Sequence, residues 1–270
     1  TNACPPSTTS FTPCISSRPS PARVQTNRAR QPMRFDIITL FPELITPHLQ
    51  VGINRRAYAP AADGSPAAIA VHLHNPRDFA TGNYKRVDDR PFGGGPGMVM
   101  LAEPLAQCTE HIFAQRQEAT PCPVVLFSPI GQIIKHALVA DWAQAHNRGA
   151  ILVCGRYEGI DQRYIDRYVT QQLSLGDFVL SGGEIPAIAL LDAIARLQDG
   201  VLGDAQSHVQ DSFNPAQGGL LDCPHYTRPE LWQDTPVPAV LLSGDHQKIE
   251  KWRQAQRKQL TQSLRPDLLA

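Results

Sequence analysis

No run of apolar residues in this 270-residue chain approaches the ~20 needed to cross a bilayer as a helix, which excludes a helical membrane span. An excess of positive charge is missing too, since Lys plus Arg and Asp plus Glu each number 25. A nucleic-acid binder is more often basic overall, so net charge argues mildly against RNA, and any such reading must rest on local charge. The cysteines (Cys4, Cys14, Cys108, Cys122, Cys154 and Cys223) contain no CxxC pair and no disulfide-scaffold spacing. They read as reduced thiols of a cytoplasmic protein. Cys223-Pro224-His225 offers two ligands without a partner pair, too few for zinc. His72 and His74 alternate on one strand and read as packing, not metal binding. No internal repeat is evident.

Residues 1–32 contain no acidic residue, are rich in Pro, Ser and Thr, and carry Arg18, Arg23, Arg28 and Arg30. Such a segment cannot bury enough apolar surface to order itself, and it reads as a disordered leader. Beyond it, short apolar runs at 35–40, 69–74, 124–128 and 150–154 have the character of buried parallel strands. Helical stretches at 42–54, 104–115 and 132–146 lie between them. This alternation predicts an α/β domain with a largely parallel sheet. After Gly203 the texture turns polar, predicting a flexible linker over 204–217. A helix is predicted from Asp245, which caps it, with Ile249, Trp252 and Leu260 on one face. Lys248, Lys251, Arg253, Arg257 and Lys258 form a basic face, either merely solvated or in contact with phosphates.

Three Gly-rich segments stand out at 87–98, 154–161 and 175–184. The first contains Gly93-Gly94-Gly95-Pro96-Gly97, whose spacing is not GxGxxG and whose Pro removes an amide, so a dinucleotide cradle fits poorly. Singly, each segment is explained by a tight turn. Together, at strand ends of an α/β fold, they suggest a pocket for a flat, nucleotide-like group held by backbone atoms. The acidic-Gly-x-Gly-x-Gly loop of a Rossmann-type methyltransferase is absent; the first strand runs into Phe41-Pro42-Glu43 instead. Arg196, on a helix opened near Pro186, is accounted for locally by an i,i+4 ion pair with Asp192. Asp211, in Gln210-Asp211-Ser212-Phe213, is accounted for as a cap or turn residue.

With those segments in view, residues 33–270 resemble, nearly end to end, the bacterial tRNA (guanine-N1)-methyltransferases of the SPOUT class. The likeness rests on Leu40-Phe41-Pro42-Glu43, the three Gly-rich segments, Asp211-Ser212-Phe213, and 219–229 with its Asp222-Cys223-Pro224-His225-Tyr226-Thr227-Arg228 core. Val240-Leu241-Leu242-Ser243-Gly244-Asp245-His246 and Trp252-Arg253 continue it. The resemblance implies a homodimer, a SAM-binding domain over 33–203 with a deep trefoil knot, and a small helical tRNA-binding domain over 218–270. It implies transfer of a methyl group from S-adenosyl-L-methionine to N1 of the guanosine at tRNA position 37, beside the anticodon.

Three loops, 126–131, 155–159 and 175–183, are the implied donor site. Phe127 and Pro129 would line it from the first loop, and Gly155 and Tyr157 from the second. From the third would come Leu175, Gly176, Phe178, Leu180, Gly182 and Gly183. Asp211 matches the general base that removes the N1 proton, and Arg196 the cation that stabilises charge arriving at O6. Glu158 matches an acidic position that places donor, acceptor or a metal. The family also implies Mg²⁺, although no carboxylate cluster announces it. Tyr84, Ile130, Phe178, Asp199 and the long 214–219 loop depart from the common pattern, touching pocket shape rather than the base or the arginine. A catalytically silent RNA-binding relative and a ribose methyltransferase are the competing readings. Retention of both Asp211 and Arg196 speaks against the former.

Overall fold

Residues 1, 31–61, 64–144, 147–203 and 208–269 are described by the computed structural model. The arginines and two cysteines of the expected leader lie outside the described residues, as do 204–207 of the expected linker. Contacts separate Thr1–Arg30 from Gln31–Ala270, and every element below belongs to the second unit.

The chain runs β1 (Met33–Ile38), α1 (Thr46–Gln50), α2 (Arg55–Tyr58), β2 (Ile69–His74), then the short pair β3 (Asp88–Asp89) and β4 (Val99–Met100). It continues through α3 (Ala102–Arg116), β5 (Val124–Ile133), α4 (His136–Trp142), β6 (Ile151–Val153), α5 (Gln162–Tyr168), β7 (Gln171–Ser174) and α6 (Glu184–Arg196). A small hairpin, β8 (Leu231–Trp232) with β9 (Thr235–Pro236), precedes α7 (His246–Leu264).

Five strands form one sheet in the order β2-β1-β6-β5-β7, and every pairing is parallel. Parallel neighbours need crossovers, so helices cover both faces and the strands bury both of theirs. Phe35 and Ile37 face one core with Leu152, Leu173, Trp142 and the α6 residues Leu190, Leu191 and Ile194. Ile38 faces the other, with Ile151, Val153, and Leu105, Cys108 and Ile112 of α3. The two-residue period of β1 thus sorts its side chains between two layers.

The expected α/β class with a mostly parallel sheet is what the chain forms, but several boundaries move. Residues 132–133, read as the start of a helix, continue β5, and α4 is confined to His136–Trp142; 145–146 lie outside the described residues. Both Phe127 and Gln132 stand opposite Leu173, so 128–131 leave the ladder as a loop and the strand then resumes. Residues 42–54 hold a 3-10 turn and the short α1 rather than one long helix, and α2 begins only at Arg55. β7 was not foreseen, because its Gln171-Gln172 opening masks an otherwise strand-like run.

Asp245 caps α7 as expected, its carboxylate accepting from the amides of Gln247 and Lys248 at 3.1 Å. Arg257, however, is not on a solvated basic face. It is 2% exposed and pairs with Glu250 at 3.2 Å and Asp222 at 3.3 Å. Seven residues are close to two helical turns, which puts Glu250 and Arg257 on one side of α7. Asp222 in turn donates its amide to Ser212 Oγ at 2.9 Å, fastening the segment that follows Asp211. Among the described residues Cys108, Cys122, Cys154 and Cys223 are free and buried, and no helix is long and apolar enough to cross a membrane.

Candidate active site

One loop interrupts β5 at 128–131 and two leave the carboxyl ends of β6 and β7, the edge where ligands of parallel α/β sheets bind. Between them lies a cleft of about 360 Å³, within the range of small-molecule sites. Nine of the ten residues expected to line it do so: Phe127 and Pro129, Gly155 and Tyr157, then Leu175, Phe178, Leu180, Gly182 and Gly183. Gly176 does not. Its carbonyl accepts from Ser174 Oγ at 3.0 Å and from the Phe178 amide at 2.9 Å, folding the loop on itself.

The second and third loops touch through their backbones. Gly183 donates its amide to the Gly155 carbonyl at 3.1 Å. A Cβ on Gly183 would lie 2.6 Å from Cys154 Cα, closer than any side chain can be accommodated. Gly183→Ala is therefore expected to separate the loops and weaken S-adenosylhomocysteine binding at least about tenfold, since overpacking of this kind costs ~1–3 kcal/mol. Titration calorimetry checks it, and unchanged affinity would show that the close approach is dispensable.

Glu158 lines the cleft, and its amide donates to the Met98 carbonyl at 2.9 Å. Gly97 lies flat against its side chain. The first Gly-rich segment thus braces Glu158 from outside rather than forming the cleft wall. Tyr157 adopts φ +60°, in the left-handed region uncommon for a residue with a side chain. Partial burial, with the Asp88 carboxylate nearby, raises its hydroxyl above the ordinary value, so it stays protonated.

Arg196 and Asp211 do not line this cleft. They meet one another, with Arg196 Nη2 donating to Asp211 Oδ2 at 2.6 Å. The local i,i+4 partner expected for Arg196 is engaged elsewhere: Asp192 accepts from Asn54 and lies 3.7 Å from His48. In the single chain Asp211 is 40% exposed and Arg196 41% exposed. α6 carries the two halves apart. Its first residue, Glu184, follows Gly183 of the cleft and its last is Arg196, a separation of ~18 Å along the axis at 1.5 Å per residue.

Two charged residues without an assigned role complete the cleft. Arg156 lines it directly, and Glu184, 1% exposed, lies behind it. The available signal was a Glu opening an otherwise apolar helix, where burial demands a cation. Among the described residues, no group of three or more His, Cys, Asp or Glu side chains is placed to hold a metal ion.

Comparison with known proteins adds the remaining information. The family described as tRNA (Guanine-1)-methyltransferase TrmD matches residues 33–270. A tRNA (guanine-N(1)-)-methyltransferase of Albidiferax ferrireducens is 65% identical over 237 residues, covering 88% of this chain and 92% of that protein. Proteins of the same name from Paracidovorax citrulli and a Polaromonas species are 63% and 61% identical, each over 88% of this chain and over 91% and 89% of their own lengths.

Proposed function

The chain belongs to the tRNA (guanine-1)-methyltransferase family, and from that premise we propose that its cleft holds the methyl donor while Arg196 and Asp211 act on the acceptor base. The reaction is methylation of guanine N1 in tRNA, with S-adenosyl-L-methionine as donor. The cleft suits that donor. Apolar side chains such as Phe127, Ile130, Leu175 and Leu180 line it together with polar ones, among them Arg156, Glu158 and Ser128, which suits a ligand with both an apolar and a charged part. When bound, the donor supplies an activated methyl on a sulfonium, so positioning is what the protein must add.

The acceptor sets the harder problem. N1 of guanine carries a proton at neutral pH and has no lone pair free for attack. Asp211 takes that proton as the new bond forms, acting as general base. The negative charge then moves towards O6, where the guanidinium of Arg196 meets it. Glu158, at the cleft wall, places the acceptor. The substrate position proposed is guanosine 37, beside the anticodon.

The observation that carries this reading is the length of α6 between the two half-sites. From Pro186 at the cleft wall α6 rises about 15 Å along its axis to Arg196, so within one chain a base beside Arg196 and a donor in the cleft are poorly placed to share one guanine. A two-fold homodimer brings the cleft of one protomer to the Asp211 of its partner. Ile130, Phe178, Val179 and Ile185 are 84%, 55%, 82% and 54% exposed around or near the cleft, an apolar rim that a second copy would cover. The trefoil knot, the division into 33–203 and 218–270, and a cytoplasmic location belong to the same proposal.

Incubation with labelled donor and tRNA bearing G or A at position 37 is expected to label only the G transcript. The product should stop primer extension, as N1 methylation blocks pairing whereas ribose methylation leaves it intact. At a donor concentration too low to fill the Gly183→Ala cleft, co-expressing Asp211→Asn with Gly183→Ala chains is expected to restore about a quarter of wild-type turnover, because half of randomly paired dimers hold one intact composite site. Full activity in a species that sediments as a monomer would overturn the composite site.

A further inference from the structure

We propose that Arg156 and Glu184 form a latch that holds the third loop against the cleft, seated on the Thr39–Phe41 corner at the end of β1. Both act as positioning residues. The proposal rests on reading the cleft as the donor site.

Glu184 is 1% exposed at the start of the 13-residue α6. Its Oε1 accepts from Thr39 Oγ1 at 2.7 Å and from Arg156 Nε at 3.2 Å. Its Oε2 lies 2.9 Å from Arg156 Nη2 but outside hydrogen-bonding alignment, so that contact is Coulombic. Burying a carboxylate is tolerable only with such a partner. The helix amino terminus helps to hold its charge.

Arg156 reaches three segments at once. Its guanidinium lies 4.5 Å from the centre of the Phe41 ring, a cation–π arrangement. Thr39 Oγ1 also accepts the Phe41 amide at 3.0 Å, so one hydroxyl fixes both the ring and the carboxylate. Nη1 donates to the Ser181 carbonyl at 3.2 Å. Among the described residues this is the hydrogen bond that ties the 178–182 stretch to another element. Gly182 is pressed against the same guanidinium, where a Cβ would come within 2.3 Å of Arg156 Nε. The Leu40-Phe41-Pro42-Glu43 motif, outside the cleft itself, thereby gains a role. It supplies the ring on which the latch rests.

The test compares wild type, Glu184→Gln, Arg156→Gln, the double variant and Thr39→Val. The readouts are hydrogen exchange at amides 176–183 in donor-free protein and calorimetric affinity for S-adenosylhomocysteine. Glu184→Gln keeps the shape but removes the charge. Loss of a charge-assisted contact should speed exchange in 176–183 and weaken affinity by at least about tenfold, with exchange in β1, β5 and β6 unchanged. The double variant should be no worse than either single one, because the two residues act together. Unchanged exchange in 176–183, or acceleration shared equally by the sheet, would overturn the latch. Should Glu184→Gln not fold, Thr39→Val, which removes one hydroxyl, carries the same two outcomes. If the ligand fails to slow exchange in 176–183 of the wild type, the donor-site reading fails instead.

Discussion

Asp211→Asn is expected to lose about 10²–10⁴-fold in turnover, the range a positioned general base supplies, while binding S-adenosylhomocysteine as wild type does. The amide keeps the shape of the carboxylate but cannot take the N1 proton. Donor affinity should hold because Asp211 is not part of the cleft wall. Stability should hold as well. The Arg196–Asp211 pair is two-fifths exposed on both sides, and ion pairs so accessible to solvent contribute only ~0–1 kcal/mol. The discriminating result is thus a dead enzyme that melts and binds normally, measured by single-turnover methyl transfer, calorimetry and thermal unfolding. Turnover within about threefold of wild type would remove Asp211 from the role of base. A matching loss of melting temperature would assign the pair to the fold instead.

What the sequence made legible divides by range. Two of the cleft loops are local, short runs of Gly and aromatic residues at 154–161 and 175–184, whereas 126–131 follows only from the family resemblance and the Gly-rich 87–98 lies outside the cleft. The strands of the inner sheet were also legible, because Phe35, Ile37, Val125 and Ile151 form short apolar runs of the kind that a doubly covered sheet demands. Long-range partners were not. Arg196 had a plausible neighbour four residues away, but its actual partner is Asp211, fifteen residues on. Arg156 and Glu184 are 28 residues apart, and Thr39 lies 145 residues before Glu184, so no periodicity announces their meeting. Arg257 looked solvated because a helical wheel shows charge but not what packs against it. Ile133 and Ile134 looked helical because a strand that leaves the ladder for four residues and returns keeps no regular period.

Asp36 makes the same point in the core and carries the largest expected effect on stability. It is fully buried in the middle of β1, where an apolar side chain would be the ordinary choice. Arg34 reaches it at 2.8 Å, Arg116 at 2.8 Å and His74 at 2.9 Å. Arg116, itself buried, also pairs with Glu118 at 3.0 Å and donates to the carbonyls of Arg34 and Arg148 at 3.0 Å. One carboxylate therefore joins β1, β2, α3 and the approach to β6. Burial by itself would raise its pKa, but hydrogen bonds from His74, Arg34 and Arg116 override that and hold it well below the usual carboxylate range. Asp36→Asn strips the anion from Arg116, which is buried, and from Arg34 and His74, which are only partly open to water. Breaking a buried pair in this way costs about 3–5 kcal/mol, or roughly 6–20 °C in melting temperature for a domain of this size. Acid should narrow the difference. With the folded pKa depressed, the stabilisation is present above the unfolded value of ~3.9 and is lost as pH falls below it towards the folded value. Paired melts of wild type and Asp36→Asn at neutral pH and near pH 3 should therefore converge on acidification. A neutral-pH gap under about 2 °C would mean that the network holds no more than an exposed ion pair does.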